Sequence, residues 1–145
     1  MKMSYDIVII GGGPAGLAAA VSAYDNGVKD ILIIERETRL GGILNQCIHN
    51  GFGLTRFKES LSGPEYAARF VDEVAKRDIE VLTETTVLSL TKDKRVTAIN
   101  GKTGVFTVQA KAVVLAMGCR IFYKVPMQNR EAIPYIHILI CYKLT

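Results

Sequence analysis

Apolar positions follow two different rhythms along this chain. In the first third they run together, as Ile-Val-Ile-Ile at 7–10 and Ile-Leu-Ile-Ile at 31–34. Such unbroken runs suit strands covered on both faces, as in a parallel sheet. Between them lies a small-residue stretch, 14–24, that predicts a helix stopped by Asn26-Gly27. A second helix is predicted from Gly63-Pro64 to about residue 77, with Pro64 suited to its first position. Tyr66, Ala67, Phe70, Val71 and Val74 recur at helical spacing and give it one apolar face. Ile79, Val81 and Leu82 then predict a strand parallel to the first two.

The rhythm then changes. Short β-prone runs at 87–90, 95–99 and 105–110 are separated by the polar turn Thr91-Lys92-Asp93-Lys94 and by the glycine-containing turn at 100–104. They read as a three-stranded antiparallel meander. Residues 112–115 predict one more buried strand, ending in Ala116-Met117-Gly118. The whole is an α/β fold: a parallel sheet with helices and an inserted meander. Residues 36–62 carry Gly41, Gly42, Gly51 and Gly53 and read as a long loop with a functional role or backbone freedom. Residues 120–145 fit none of this. Pro126 and Pro134 break any long helix, and the apolar run at 136–142 suits either a last buried strand or an exposed edge prone to aggregation.

The chemistry sits where the first strand ends. Gly11, Gly13 and Gly16 have the G-x-G-x-x-G spacing between a strand and a helix, and Glu35 closes the next strand. Gly11 permits the tight turn, Gly13 lets a pyrophosphate approach the backbone, and Gly16 lets the helix lie close to the sheet. The helix mouth offers free N–H groups and partial positive charge to phosphates. A carboxylate at Glu35 can accept hydrogen bonds from ribose hydroxyls and would repel a 2′-phosphate.

Composition changes this picture little. The chain has 145 residues, 49% of them hydrophobic, enough for one modest domain and too apolar for disorder. The net charge of +4 is concentrated: residues 120–145 carry +3 of it, so the organised part has no basic stripe for nucleic acid. No apolar run reaches the roughly 18–20 residues of a membrane span, and no signal peptide is evident, which implies a cytoplasmic protein. Cys47, Cys119 and Cys141 are odd in number and far apart, and His49 and His137 stand at no metal-ligand spacing from them. Neither a disulfide framework nor a metal site is expected.

The order of elements, with three stretches of sequence, resembles the FAD-binding N-terminal part of the two-dinucleotide-binding flavoproteins, the pyridine nucleotide-disulfide oxidoreductase superfamily. The stretches are Asp6-Ile7-Val8-Ile9-Ile10-Gly11-Gly12-Gly13-Pro14-Ala15-Gly16, Glu35 followed by Gly41-Gly42, and Ala112-Val113-Val114-Leu115-Ala116-Met117-Gly118. The last is similar to the family's Ala-Thr-Gly motif, with Met117 in the Thr place. The resemblance covers residues 4–119 and implies a Rossmann-like domain over 1–119 with an unrelated tail at 120–145. It implies that Gly11, Gly13, Pro14, Ala15 and Gly16 hold the FAD pyrophosphate and that Glu35 holds the adenosine ribose. It further implies Arg36 beside the adenine end, Val87 on the adenine, Gly42 toward the flavin, and Ala116 and Gly118 close to the dinucleotide. A plain core valine is the alternative at Val87.

Departures from the family are informative. Its dithiol enzymes need a C-x-x-x-x-C pair to exchange electrons with the flavin. Here Cys47 stands alone and Phe52 takes the second place. The stretch from Gly41 to Gly53 is similar to a non-disulfide branch of FAD-dependent NAD(P)H oxidoreductases. Cys47 and His49 are candidates for proton transfer beside the flavin, against the simpler readings of a small buried hydrophobe and a structural histidine. The family also needs an NAD(P)H domain, so an incomplete, truncated or frame-shifted product is expected, with doubtful activity by itself. Two other readings stay open: a non-catalytic NAD or ADP-ribose-binding module, and a subunit completed by a partner chain or by self-association.

Overall fold

The protein's structure, a computed structural model, describes residues 2–118. The expectations for Cys119, His137, Cys141, the tail at 120–145 and its apolar run lie outside the described residues. In chain order the elements are β1 (Ser4–Ile10), α1 (Pro14–Asp25), β2 (Ile31–Ile34) and a 3₁₀ turn (Gly42–Gln46). A small hairpin of β3 (Asn50–Phe52) and β4 (Leu61–Ser62) leads into α2 (Gly63–Ala75). β5 (Glu80–Leu82), β6 (Thr85–Leu90), β7 (Arg95–Asn100) and β8 (Gly104–Leu115) complete the fold.

The main sheet runs β5-β2-β1-β8-β7-β6. β5, β2, β1 and β8 are parallel, while β8-β7-β6 is the antiparallel meander. The two ends of that order are joined by only Thr83-Glu84, so the meander folds back over the parallel strands. Side-chain alternation along β1 then serves two cores. Ile9 faces the helices, joining Leu17, Ala20 and Val21 of α1 and Phe70 and Val74 of α2. Val8 and Ile10 face the meander, joining Val96, Ala98, Phe106 and Val108, and Tyr5, before the Asp6–Ile7 irregularity where both amides bond the Asp30 carbonyl, joins the same core. The strand is apolar on both faces because both faces are covered. Among the described residues no helix is long and apolar enough to cross a membrane.

Three details differ from the expectation. The separate strands at 105–110 and 112–115 are one twelve-residue strand, β8. Its first half pairs with β7 and its second half with β1, and Gln109 pairs with both Arg95 and Ser4. The sequence hides this because exposed Lys111 sits mid-strand, ion-paired to Asp6 at 2.6 Å. The supposed long loop is also less irregular than its glycines suggest, since it holds the 3₁₀ turn and the β3–β4 hairpin. Finally, α2 ends at Ala75 rather than 77, with Lys76 as its cap.

Candidate functional site

The C-terminal ends of β1 and β8 lie side by side, with connections leaving β1 toward β2 on one side and β8 arriving on the other. In an open α/β sheet such a reversal leaves a crevice at the strand ends. The G-x-G-x-x-G turn stands there. Its backbone is tied to both neighbours: the Gly11 N–H donates to the Ile34 carbonyl at 2.8 Å, and the Ala116 N–H donates to the Ile10 carbonyl at 2.8 Å.

The glycines divide by what a side chain would meet. Gly11 has φ +110°, and a Cβ there would strike the Ala116 carbonyl oxygen. A Cβ on Gly16 would strike the Gly11 carbonyl oxygen, which locks the first turn of α1 onto the strand end. A Cβ on Gly12 would strike Leu40 and crowd the Glu35 carboxylate. Gly13 is different. Its backbone is ordinary, φ −76° and ψ −178°, and a Cβ would only graze the Gly42 Cα at 4.0 Å. The protein's own packing does not require glycine there.

Gly13 is also the N-cap of α1. No side chain caps that end, no acid lies in its first turn, and Pro14 occupies the start. The first helical bond is Leu17 N–H to the Gly13 carbonyl, 3.0 Å, so the amides of Ala15 and Gly16 precede the ladder. α2 is the internal contrast. Its mouth is closed by its own side chains, with the Glu65 carboxylate accepting from the Ser62 N–H at 2.8 Å and from the Ser62 hydroxyl at 2.7 Å. Those bonds hold the Glu65 carboxyl below the usual carboxylate range. Among the described residues, one helix mouth is thus satisfied internally and the other has no side-chain cap.

Glu35 is buried beside the open mouth. Its Oε2 accepts the Gly12 N–H at 2.7 Å and its Oε1 accepts the Glu37 N–H at 2.9 Å. A carboxylate has about four acceptor positions, so two bonds leave capacity for hydroxyl donors. The segment after Glu37 closes the cradle: Gly41 N–H donates to the Gly12 carbonyl at 2.8 Å, and Gly42 packs against Gly13.

The fold therefore brings together Gly11, Gly13, Pro14, Ala15, Gly16, Glu35, Gly42 and Ala116. Gly118, φ +71°, follows in open space. Arg36 points to solvent and pairs with Glu37 at 3.2 Å. Val87 is half-buried, packed against the core between sheet and meander. Cys47 and His49 lie at the end of the 3₁₀ turn and the start of the hairpin, where Cys47 meets the first residue of α2. The Cys47 carbonyl accepts the Gly63 N–H at 2.8 Å, and the exposed His49 ring lies 5.2 Å from Phe52. Sequence reasoning missed Gly12 and Leu40, although an unassigned third glycine within Gly11-Gly12-Gly13 was a usable signal.

Comparison with known proteins gives the family and the fold. A family model, pyridine nucleotide-disulphide oxidoreductase, matches residues 5–136. The chain is 31% identical over 123 residues to a ferredoxin–NADP reductase of Leuconostoc citreum, covering 79% of this chain and 33% of that protein. It is 38% identical over 81 residues to a thioredoxin reductase of Ureaplasma parvum, covering 55% of this chain and 25% of that one. Among solved structures, a thioredoxin reductase of Streptococcus pyogenes aligns with TM-score 0.66 and 26% identity, over 88% of this chain and 39% of that one. The chain thus spans about a third of the length of these relatives.

Proposed function

Since the chain belongs to the pyridine nucleotide-disulphide oxidoreductase family, we propose that its glycine turn and Glu35 hold the ADP half of FAD, as the FAD-binding part of an NAD(P)H oxidoreductase. Gly13 carries this reading. It is the glycine of the motif with no structural need to be one, and it caps a helix mouth that no described side chain satisfies. A phosphate needs that combination: close approach to backbone and unpaired amides of positive polarity.

The residues then take these parts. The amides of Ala15 and Gly16 face the pyrophosphate, Glu35 accepts from the ribose, and Ala116 and Gly118 border the crevice. Arg36 and Val87 flank the adenine end. When bound, FAD supplies hydride acceptance and onward electron transfer, and the protein supplies binding, orientation and electrostatics. Phe52 stands five residues after Cys47, so this loop offers no C-x-x-x-x-C dithiol to the flavin.

The test is a binding competition on the purified chain. FAD is titrated by quenching of its fluorescence, with ADP, 2′-phospho-ADP and NAD as competitors. ADP is expected to displace FAD and 2′-phospho-ADP to fail. Glu35→Ala is expected to weaken FAD by about tenfold, the scale of a charge-assisted hydrogen bond. NAD binding more tightly than FAD would overturn the assignment in favour of a nucleotide sensor.

A further inference from the structure

Glu35 is held from behind by a turn that belongs to neither the glycine motif nor its helix. The Glu35 N–H donates to the Leu82 carbonyl at 2.8 Å, and its carbonyl accepts the Thr85 N–H at 3.0 Å. Two residues on, the Glu37 carbonyl accepts the Glu84 N–H at 3.0 Å. Glu37 is the residue whose own N–H holds the Glu35 Oε1. The Thr83–Glu84 link between β5 and β6 therefore grips the acid's turn at both ends. Glu84 adopts a left-handed φ of +50° to do so, a conformation unfavourable for a residue with a Cβ.

Thr85 is what shapes this link. It is 1% exposed, one of two buried polar residues among the described residues, the other being Glu35 itself. Its hydroxyl donates to the Thr83 carbonyl at 2.8 Å, closing the link on itself. The same hydroxyl accepts from Asn100 Nδ2 at 3.4 Å. Asn100 in turn organises the β7–β8 hairpin, its Oδ1 accepting the amides of Lys102 and Thr103 at 3.1 and 2.7 Å. From the meander these bonds reach the Thr83–Thr85 link, and the backbone of that link reaches the carboxylate through the Glu84 N–H to the Glu37 carbonyl and the Glu37 N–H to the Glu35 Oε1.

We propose that Thr85, supported by Asn100, is a positioning residue for the ribose-binding acid, and that the meander is the buttress fixing the aim of Glu35. This rests on the ribose reading of Glu35 above. A buried threonine is a poor filler for an apolar layer, since its hydroxyl must be bonded to be tolerated. The bonds it makes here lead to the site.

Thr85→Val removes the hydroxyl at nearly constant shape, and Thr85→Ser keeps it. Wild type and both variants, as the 145-residue chain, are titrated with ADP and with 2′-deoxy-ADP by calorimetry. Amide exchange of the ligand-free chain is followed by NMR. Wild type and Thr85→Ser are expected to prefer ADP. In Thr85→Val that preference falls by about fivefold while the affinity for 2′-deoxy-ADP stays within about twofold of wild type. The amides of Gly12 and Glu37 exchange faster, and those of Val8 and Leu32 do not. A full preference in Thr85→Val overturns the proposal even if its Tm falls, since a purely structural threonine would lower Tm alone. Where Thr85→Val does not fold, Asn100→Ala decides: a reduced preference supports the coupling and an unchanged one overturns it. A wild type without any preference overturns the ribose reading itself, and this inference with it.

Discussion

At the residue scale, the glycine motif contains two kinds of glycine that its spelling does not distinguish. Gly11 and Gly16 are glycines because backbone already occupies the space of their side chains. Gly13 is a glycine with room to spare. Substitution should separate them. Gly16→Ala is expected to cost roughly 2 kcal/mol or more, because the clash is with the rigid Gly11 carbonyl rather than with a flexible side chain. Gly13→Ala is expected to stay within about 1 kcal/mol of wild type, the scale of a changed N-cap, yet to lose most FAD affinity. Urea unfolding of both variants beside an FAD titration checks this; equal stability losses would mean that Gly13 also serves packing. The spacing made the motif legible, but the reason for each glycine is a distance: Gly11 to the Ala116 carbonyl beyond β8, Gly16 to the Gly11 carbonyl, and Gly13 to no carbonyl at all. Val87 illustrates the same limit, since nothing in a β-prone run says which face will meet the core.

At the element scale, the two helices show how local sequence sets the availability of a helix end. α2 carries its own cap in Ser62 and Glu65, a signature readable from four residues. α1 begins Gly13-Pro14 and has none. Ser62→Ala is expected to lower stability by about 1 kcal/mol, a fall of a few degrees in Tm. It should leave FAD affinity unchanged, because α2 faces the helix layer and its mouth is already spent. A thermal melt with and without FAD checks both halves. The helices and the β1 and β2 strands were legible because their patterns are local. β8 was not, because a strand that changes partners midway changes its burial rhythm at the change, and Lys111 there looks like an end.

At the scale of the whole molecule, the parallel sheet is held between two layers, and Tyr5 ties its edge to its centre. Its hydroxyl donates to Glu80 on β5 at 2.8 Å, and burial, with the Glu80 carboxylate second, raises the phenol to about 12. The folded state therefore keeps this proton longer than the unfolded chain, whose tyrosine titrates near 10. This contribution is complete below about pH 10 and is lost as pH rises toward 12. Denaturant melts between about pH 9 and pH 12 are expected to show that fall in wild type and a shallower one in Tyr5→Phe. Parallel slopes in the two proteins would show that Tyr5 does not govern alkaline unfolding.

Sequence by itself determined the parallel strands, both helices, the meander and the glycine–acid constellation, because each is written in spacing over a few residues. Only the tertiary structure decided that the meander folds over the sheet, that β8 joins two pairings in one strand, and that Glu35 is gripped from behind by Thr83–Thr85. Those facts depend on which distant backbones meet. Period and propensity describe what a segment can become, and the partner across the layer settles what it does.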